Sequence, residues 1–413
     1  MPSHNTITRT LMCRDHEVAR FSYDPEKRIV TGKAHVISST YLPQGCLDES
    51  SSFSSRRLSR WLTNRAVPAT RPGISPVLQR LSLEHPEELL AAGLGLSLSD
   101  QYWLRPNNTP ELVWNAINCF TNNFSPALGE ALAPHDPDSG SRALANLEDQ
   151  GIVVASSPDS ALNGNLPKRW EIRDGKRVLV KSGKPANLFQ EPMNERIATL
   201  LCARILPTGD FVPYALEQNG YPRYVSSCPC MVDECTEFVP AADVILSART
   251  PNDVSRFEAY ARTCEAHGIA DIRRQLSAML VVDHMLANFD RHWGNFGVLI
   301  DAETRTWLRA APIFDTGESL WCDRPLANDF SPYRMPHPMP FTRRINEQLE
   351  RYASDLSWLD PAALDGFADE AISVLELNRE LAAIPGRLDG IRTALQRNID
   401  RVIELHPLES RHG

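Results

Sequence analysis

Positive charge is in short supply in this chain. Its formal net charge is −9, which excludes broad, non-specific binding to nucleic acid and leaves room only for a local basic patch. No apolar run approaches the roughly 20 residues that a membrane-spanning helix requires. The opening Met1-Pro2-Ser3-His4-Asn5-Thr6 lacks the apolar core of a signal peptide, so a cytoplasmic protein is expected. The nine cysteines suit that compartment, since most stand singly in apolar surroundings, where a free thiol packs as a small hydrophobe. Cys228, Cys230 and Cys235 do cluster, but no fourth ligand follows at zinc-site spacing, and no metal is expected there. The chain also lacks a G-x-G-x-x-G phosphate loop and any internal repeat.

What is present is an ordinary globular composition, 42% apolar and 23% charged over 413 residues, enough for about two or three domains. Residues 18–23 and 28–30 read as short strands around the turn Asp24-Pro25-Glu26-Lys27, and 35–42 as a further strand. A helix is expected near 56–63, a loop over 67–73, a partly buried stretch over 93–104 and a surface loop over 134–140.

From about residue 150 the pattern sharpens. Ile152-Val153-Val154 reads as a strand and 156–164 as a turn-rich loop. Residues 168–172 and 177–181 form a hairpin closed at Asp174-Gly175, a favoured hairpin dipeptide. Residues 192–205 read as helix, and 221–239 as a strand and the crossing between two lobes. Residues 271–287 read as a buried helix, because Ile272, Leu276, Met279, Leu280, Val282 and Leu286 recur at three and four residues. Asp360-Pro361 opens a helical tail, in which Leu388, Ile391, Leu395, Ile399 and Val402 form one apolar stripe.

The chemistry is concentrated in Asn288-Phe289-Asp290-Arg291-His292-Trp293-Gly294-Asn295-Phe296. Asp290 and Asn295 have the D-x-x-x-x-N spacing of a kinase catalytic loop. Phosphoryl transfer needs a carboxylate to orient the attacking hydroxyl, and an amide and a second carboxylate to hold Mg²⁺ on the nucleotide phosphates. Residues 296–300 read as a strand, 301–304 as a turn and 307–314 as the returning strand. An antiparallel pair brings its outer ends together, so Asp315 is expected beside Asn295. Lys181 ends the string Arg177-Val178-Leu179-Val180-Lys181, similar to the V-A-I-K strand whose lysine pairs with nucleotide phosphates. Glu191 and Glu195 stand one turn apart on the next helix, and either could reach that lysine; Glu195, deeper in the helix, is the choice.

Together these strings resemble the HipA-like kinases, bacterial relatives of the eukaryotic protein kinases. The resemblance rests on residues 288–296, on Ala-Pro-Ile-Phe-Asp-Thr-Gly-Glu-Ser-Leu-Trp (311–321), on Leu-Val-Lys (179–181) and on Asn194-Glu195, and it covers roughly residues 150–400. It implies an α+β, two-lobed protein-kinase-like fold. A small β-rich N-terminal subdomain (1–145) would precede an N-lobe of sheet and one helix (146–238) and a mainly helical C-lobe with the catalytic loop (239–413).

The activity implied is that of an ATP- and Mg²⁺-dependent serine/threonine protein kinase. Asp290 would be the catalytic base, Asn295 and Asp315 the Mg²⁺ ligands, Lys181 the α/β-phosphate contact and Glu195 its orienting partner. The loop 156–164 would cover the phosphates, with Ser157 and Ser160 as its nucleotide-binding and autophosphorylation candidates. The acceptor would be a protein or the chain itself, with an antitoxin as an implied partner and neither nucleic acid nor membrane expected. The string Asp-Arg-His-x-x-Asn is shared with phosphatidylinositol kinases, so a lipid or small-molecule kinase is the alternative. A non-catalytic, nucleotide-binding toxin or regulatory module is a third. The acidic net charge, with nothing basic near Asp315 to grip a membrane surface, favours a protein hydroxyl.

Overall fold

The computed structural model describes residues 6–48, 50, 52–150, 157–219, 223–247, 253–333, 339–353 and 355–406. The strand expected at 152–154 lies outside the described residues. The chain divides into two compact units. One comprises Met1–Lys181, Cys230–Arg249 and Leu299–Trp307; the other comprises Ser182–Pro229, Thr250–Val298 and Leu308–Gly413.

The first unit is built on a four-stranded antiparallel sheet in the spatial order Ile29–Val36, His16–Asp24, Ile7–Cys13, Tyr102–Pro106. The strand Ile7–Cys13 escapes sequence reading because it is paired on both edges and its last four residues are all buried, which erases the polar–apolar alternation. The separate strand expected over 35–42 does not form. His35 and Val36 finish the third strand, opposite Arg20 and Ala19, and the chain then turns with the amides of Ile37 and Ser38 both donating to the Val18 carbonyl, at 2.9 and 3.1 Å.

The surface loop expected over 134–140 is also corrected, because the helix Pro137–Gln150 begins inside it. Asp136 caps that helix, its Oδ1 accepting from the Ser139 amide at 2.8 Å, and proline suits the first helical position, where its missing N–H would find no partner. The hairpin Lys168–Arg173/Lys176–Lys181 forms in the expected register, Arg173 opposite Lys176 and Lys168 opposite Lys181. Asp174 and Gly175 take φ of 50° and 75°, as a two-residue turn of this hand requires.

The second unit is mainly helical. Its principal helices are Glu191–Ile205, Arg256–Ala266, Ile272–Met285, Ile345–Tyr352, Phe367–Leu375 and Arg387–Leu405, and it holds the antiparallel pair Ala215–Gln218/Tyr224–Pro229. Ile391, Leu395, Ile399 and Val402 are buried along the last helix. From the same helix Asn398 donates to the carbonyls of His284 and Met285, at 3.0 and 3.3 Å, tying down the end of Ile272–Met285. Asp360 does act as a cap, but of a single 3₁₀ turn, Pro361–Leu364, before the helix begins at Phe367.

The strands Gly297–Asp301 and Trp307–Ala310 are joined at a turn where Asp301 Oδ1 accepts from the amides of Glu303 (3.0 Å) and Thr304 (2.7 Å). The returning strand is shorter than expected. Its end is set by Pro312, which has no N–H for the ladder. Beyond it, Ile313 bridges Phe211 in parallel fashion. No helix among the described residues is long and apolar enough to cross a membrane.

Candidate active site

The site in the second unit grows from one acid in an apolar helix. Asp283, in the last turn of Ile272–Met285, is buried among aliphatic neighbours. A lone buried carboxylate is costly unless paired and hydrogen-bonded, and Arg291 answers it. Arg291 Nε lies 2.9 Å from Asp283 Oδ2, and its Nη2 lies 2.9 Å from Oδ1. Its Nη1 donates to the carbonyl oxygens of Asn295 and Phe314, both at 2.6 Å. Burial opposes the charge on Arg291, but Asp283 beside it holds the guanidinium pKa above its ordinary value.

Asn288 completes the frame. Its Nδ2 donates to Asp283 Oδ1 at 2.7 Å, and its Oδ1 accepts from the Asp290 amide at 3.0 Å. Asn295 in turn donates through Nδ2 to the Asp290 carbonyl at 3.0 Å, which leaves its amide oxygen as the atom available to a cation. The backbones of Asp290, of Asn295 and of the residue preceding Asp315 are thus all tied to one buried ion pair. The hairpin does return Asp315 to the neighbourhood of Asn295, and Arg291 is what joins the two ends.

The segment after Asp315 is held from the other side by Glu191–Ile205. Glu195 Oε2 accepts from the Thr316 amide (3.0 Å) and from Thr316 Oγ1 (2.8 Å). Asn194 Nδ2 donates to the carbonyls of Gly317 (2.7 Å) and Ser319 (2.9 Å), and Gln190 Nε2 to that of Leu320 (3.1 Å). A Cβ at Gly317 would lie 3.3 Å from that of Glu191, a tight approach between this segment and the helix. Asp315 itself sits at φ 56°, a left-handed conformation that aspartate tolerates better than most residues.

Asp290 is only partly accessible. Its carboxyl is pushed up to about 7, first by burial and then by the charges of Asp315 and Glu318, with Lys184 and Arg291 acting in the opposite direction. The oxygen donors of Asn295 and Asp315 fit a hard divalent cation.

The remaining expected residues lie in the first unit. Lys181 ends the strand Lys176–Lys181 and is buried. Ser157 and Ser160 are fully buried in a 3₁₀ turn, Pro158–Ala161. The Ser157 hydroxyl donates to Asp159 Oδ2 at 2.7 Å, and that of Ser160 to the Ser157 carbonyl at 3.0 Å. Arg71 fastens the same loop by donating to the Gly164 carbonyl at 2.8 Å. Within this unit Gln101 Nε2 donates to the carbonyls of Asp233 (3.1 Å) and Thr236 (2.7 Å), and the Phe238 amide donates to that of Ser99 (2.8 Å). The segment expected to cross between lobes is therefore fastened to residues near 100.

No family model matches the chain, and no curated protein does. Among solved structures, HipA of Shewanella oneidensis MR-1, from its toxin–antitoxin complex with HipB and operator DNA, matches with a TM-score of 0.50 at 14% identity, covering 96% of this chain and 99% of that one. The chain has the HipA-like kinase fold. The Helicobacter pylori proinflammatory kinase CtkA matches with a TM-score of 0.42 at 16% identity, over 58% of this chain and 94% of that one.

Sequence reading placed Asp290, Asn295 and Asp315 on this HipA-like fold but missed Asp283, Asn288 and Arg291, which assemble them. A signal did exist: Asp283 is the one acid inside the otherwise apolar pattern of residues 276–287. A charge in a buried stripe asks for a partner, and Arg291 is the nearest strong base that follows it.

Proposed function

We propose that this chain is an ATP- and Mg²⁺-dependent serine/threonine protein kinase. The observation that carries the reading is the double tie of Arg291 to the carbonyls of Asn295 and Phe314, which assembles a D-x-x-x-x-N loop and a second acid around one point. Asp290, with its carboxyl raised to about 7, is suited to orient an attacking hydroxyl and to take up its proton near neutral pH. Asn295, through its amide oxygen, and Asp315 would hold Mg²⁺. The metal, bound with ATP, would neutralise charge on the transferred phosphoryl group. Lys181 would meet the α- and β-phosphates. Glu195 would act in support by fixing Thr316 beside Asp315.

The acceptor we propose is a protein hydroxyl, in another protein or in this chain. Ser157 and Ser160 remain the autophosphorylation candidates. Because both are buried and bonded within their turn, modification would require that turn to open, and the added charge, roughly −1.5 to −2, would oppose its closing again. The solved HipA is bound to HipB, and we extend an antitoxin partner to this chain on that likeness.

Incubation with labelled ATP and Mg²⁺ tests the reading. Phosphate should appear on the chain or on an added protein substrate, and the Asp290→Asn protein should leave both unlabelled. An absence of transfer from the parent protein under all metal conditions would refute the proposal.

A further inference from the structure

Transfer of a phosphoryl group places three negatively charged oxygens next to the catalytic carboxylate, and a fixed cation there is one of the recurring means of stabilising them. Within the loop 290–295 the only strong base is Arg291. It is 1% exposed, and both its terminal nitrogens are committed to Asp283 and to the carbonyls of Asn295 and Phe314. It stabilises the loop and cannot also meet a substrate.

A second cation stands close by. The Lys184 ammonium is paired with Glu318, and Glu318 is fixed beside the catalytic loop because its carbonyl accepts from the Phe289 amide, one residue before Asp290, at 3.1 Å. The main chain of Lys184 is pinned at both of its polar groups. Its amide donates to Glu191 Oε2 at 3.2 Å, and its carbonyl accepts from the amides of Asn187 (3.1 Å) and Phe189 (2.9 Å). Its side chain is 38% accessible, so the stem can swing while the root stays in place.

Lys184 is the last lysine of the chain, and every strong base after it is arginine. Its compact ammonium with three rotatable donors suits a mobile phosphate contact better than the planar fork of an arginine would.

We propose that Lys184 is a phosphate-contacting residue of the active site, held by Glu318 until nucleotide arrives and then turned to the terminal phosphate that is transferred. The assignment rests on the kinase reading above and goes beyond it. Glu318 pairs with the ammonium near the catalytic loop, and nucleotide must compete with it.

Calorimetric titration of the full chain with ATP and with ADP, each with Mg²⁺, separates the terminal phosphate from the other two. Lys184→Met should weaken ATP binding about tenfold and ADP binding less than about twofold, and lower transfer by at least about tenfold. Glu318→Gln removes the competitor and should tighten ATP binding by a few-fold. Lys184→Met binding ATP as the parent does, or losing ATP and ADP equally, would overturn the assignment. Glu318→Gln binding ATP no tighter than the parent would overturn the masking by Glu318. Failure of the kinase reading looks different: the parent itself would then show neither nucleotide binding nor transfer.

Discussion

Asp283 offers the sharpest perturbation, because the ion pair with Arg291 is buried and nothing in solvent replaces a lost partner. Asp283→Ala leaves a guanidinium that is 1% exposed without its carboxylate. Breaking a buried pair by removing one partner costs about 3–5 kcal/mol, because the surviving charge stays desolvated. Asn288 loses its acceptor in the same step, a further cost on the order of 1–3 kcal/mol if no water reaches it. In a unit of this size each kcal/mol moves the melting temperature by about 2–4 °C, so the transition of the second unit should fall on the order of 10 °C. Arg291→Lys separates stability from function. It keeps the charge but not the planar fork that reaches Asp283, Asn295 and Phe314 together. It should melt above Asp283→Ala while phosphoryl transfer drops by a factor of about 10² or more, since a misplacement of about 1 Å is enough for that. Differential scanning calorimetry and a transfer assay on the same preparations decide the matter. An Asp283→Ala protein melting within about 1 °C of the parent, or full transfer by Arg291→Lys, would refute the view that this pair assembles the site.

Asp290→Asn should lower transfer by a factor of about 10² or more with nucleotide binding nearly unchanged, as kinetics and calorimetry together would show. Asp315→Ala should weaken ATP binding when Mg²⁺ is present and matter far less when it is absent; an unchanged Mg²⁺ dependence would place the metal elsewhere. In the first unit, burial pushes the Asp159 carboxyl up to about 6, so between about pH 4 and 6 the folded chain binds more protons than the unfolded one. That contribution to stability is present at the acid end and lost as pH rises. The stability of Asp159→Asn relative to the parent should therefore increase from pH 4 to 6, and a flat difference in melting temperature would contradict the assignment. Leu395→Ala, in the buried stripe of the last helix, should cost about 2–5 kcal/mol by chemical denaturation without altering the ratio of ATP to ADP affinity.

Local patterns were legible wherever physics acts over a few residues. The three- and four-residue recurrence of Ile272, Leu276, Met279 and Leu280 marked their helix, found at Ile272–Met285. Asp174-Gly175 marked the hairpin because few other residues accept positive φ at both positions. The D-x-x-x-x-N string marked the loop because the chemistry fixes the spacing of its donors. Reading failed where an element's pattern is set by neighbours distant in sequence. The central strand Ile7–Cys13 shows no alternation, because strands on either side and the core beneath bury one end entirely.

The sequence by itself pointed to the groups that could do chemistry here: one carboxylate to orient a hydroxyl, an amide and an acid for a cation, and a lysine for phosphate. It could not say how they are held together. That was decided by tertiary structure, through Arg291 paired with an acid on the preceding helix and spanning from Asn295 to Phe314, and through Glu195, Asn194 and Gln190 fastening residues 316–320. These contacts bridge between 4 and 130 positions of the chain, too irregular a set of separations to leave a period in the sequence. Their strength comes from burial, where unpaired charges and amides are costly, and burial is a property that only the folded chain possesses.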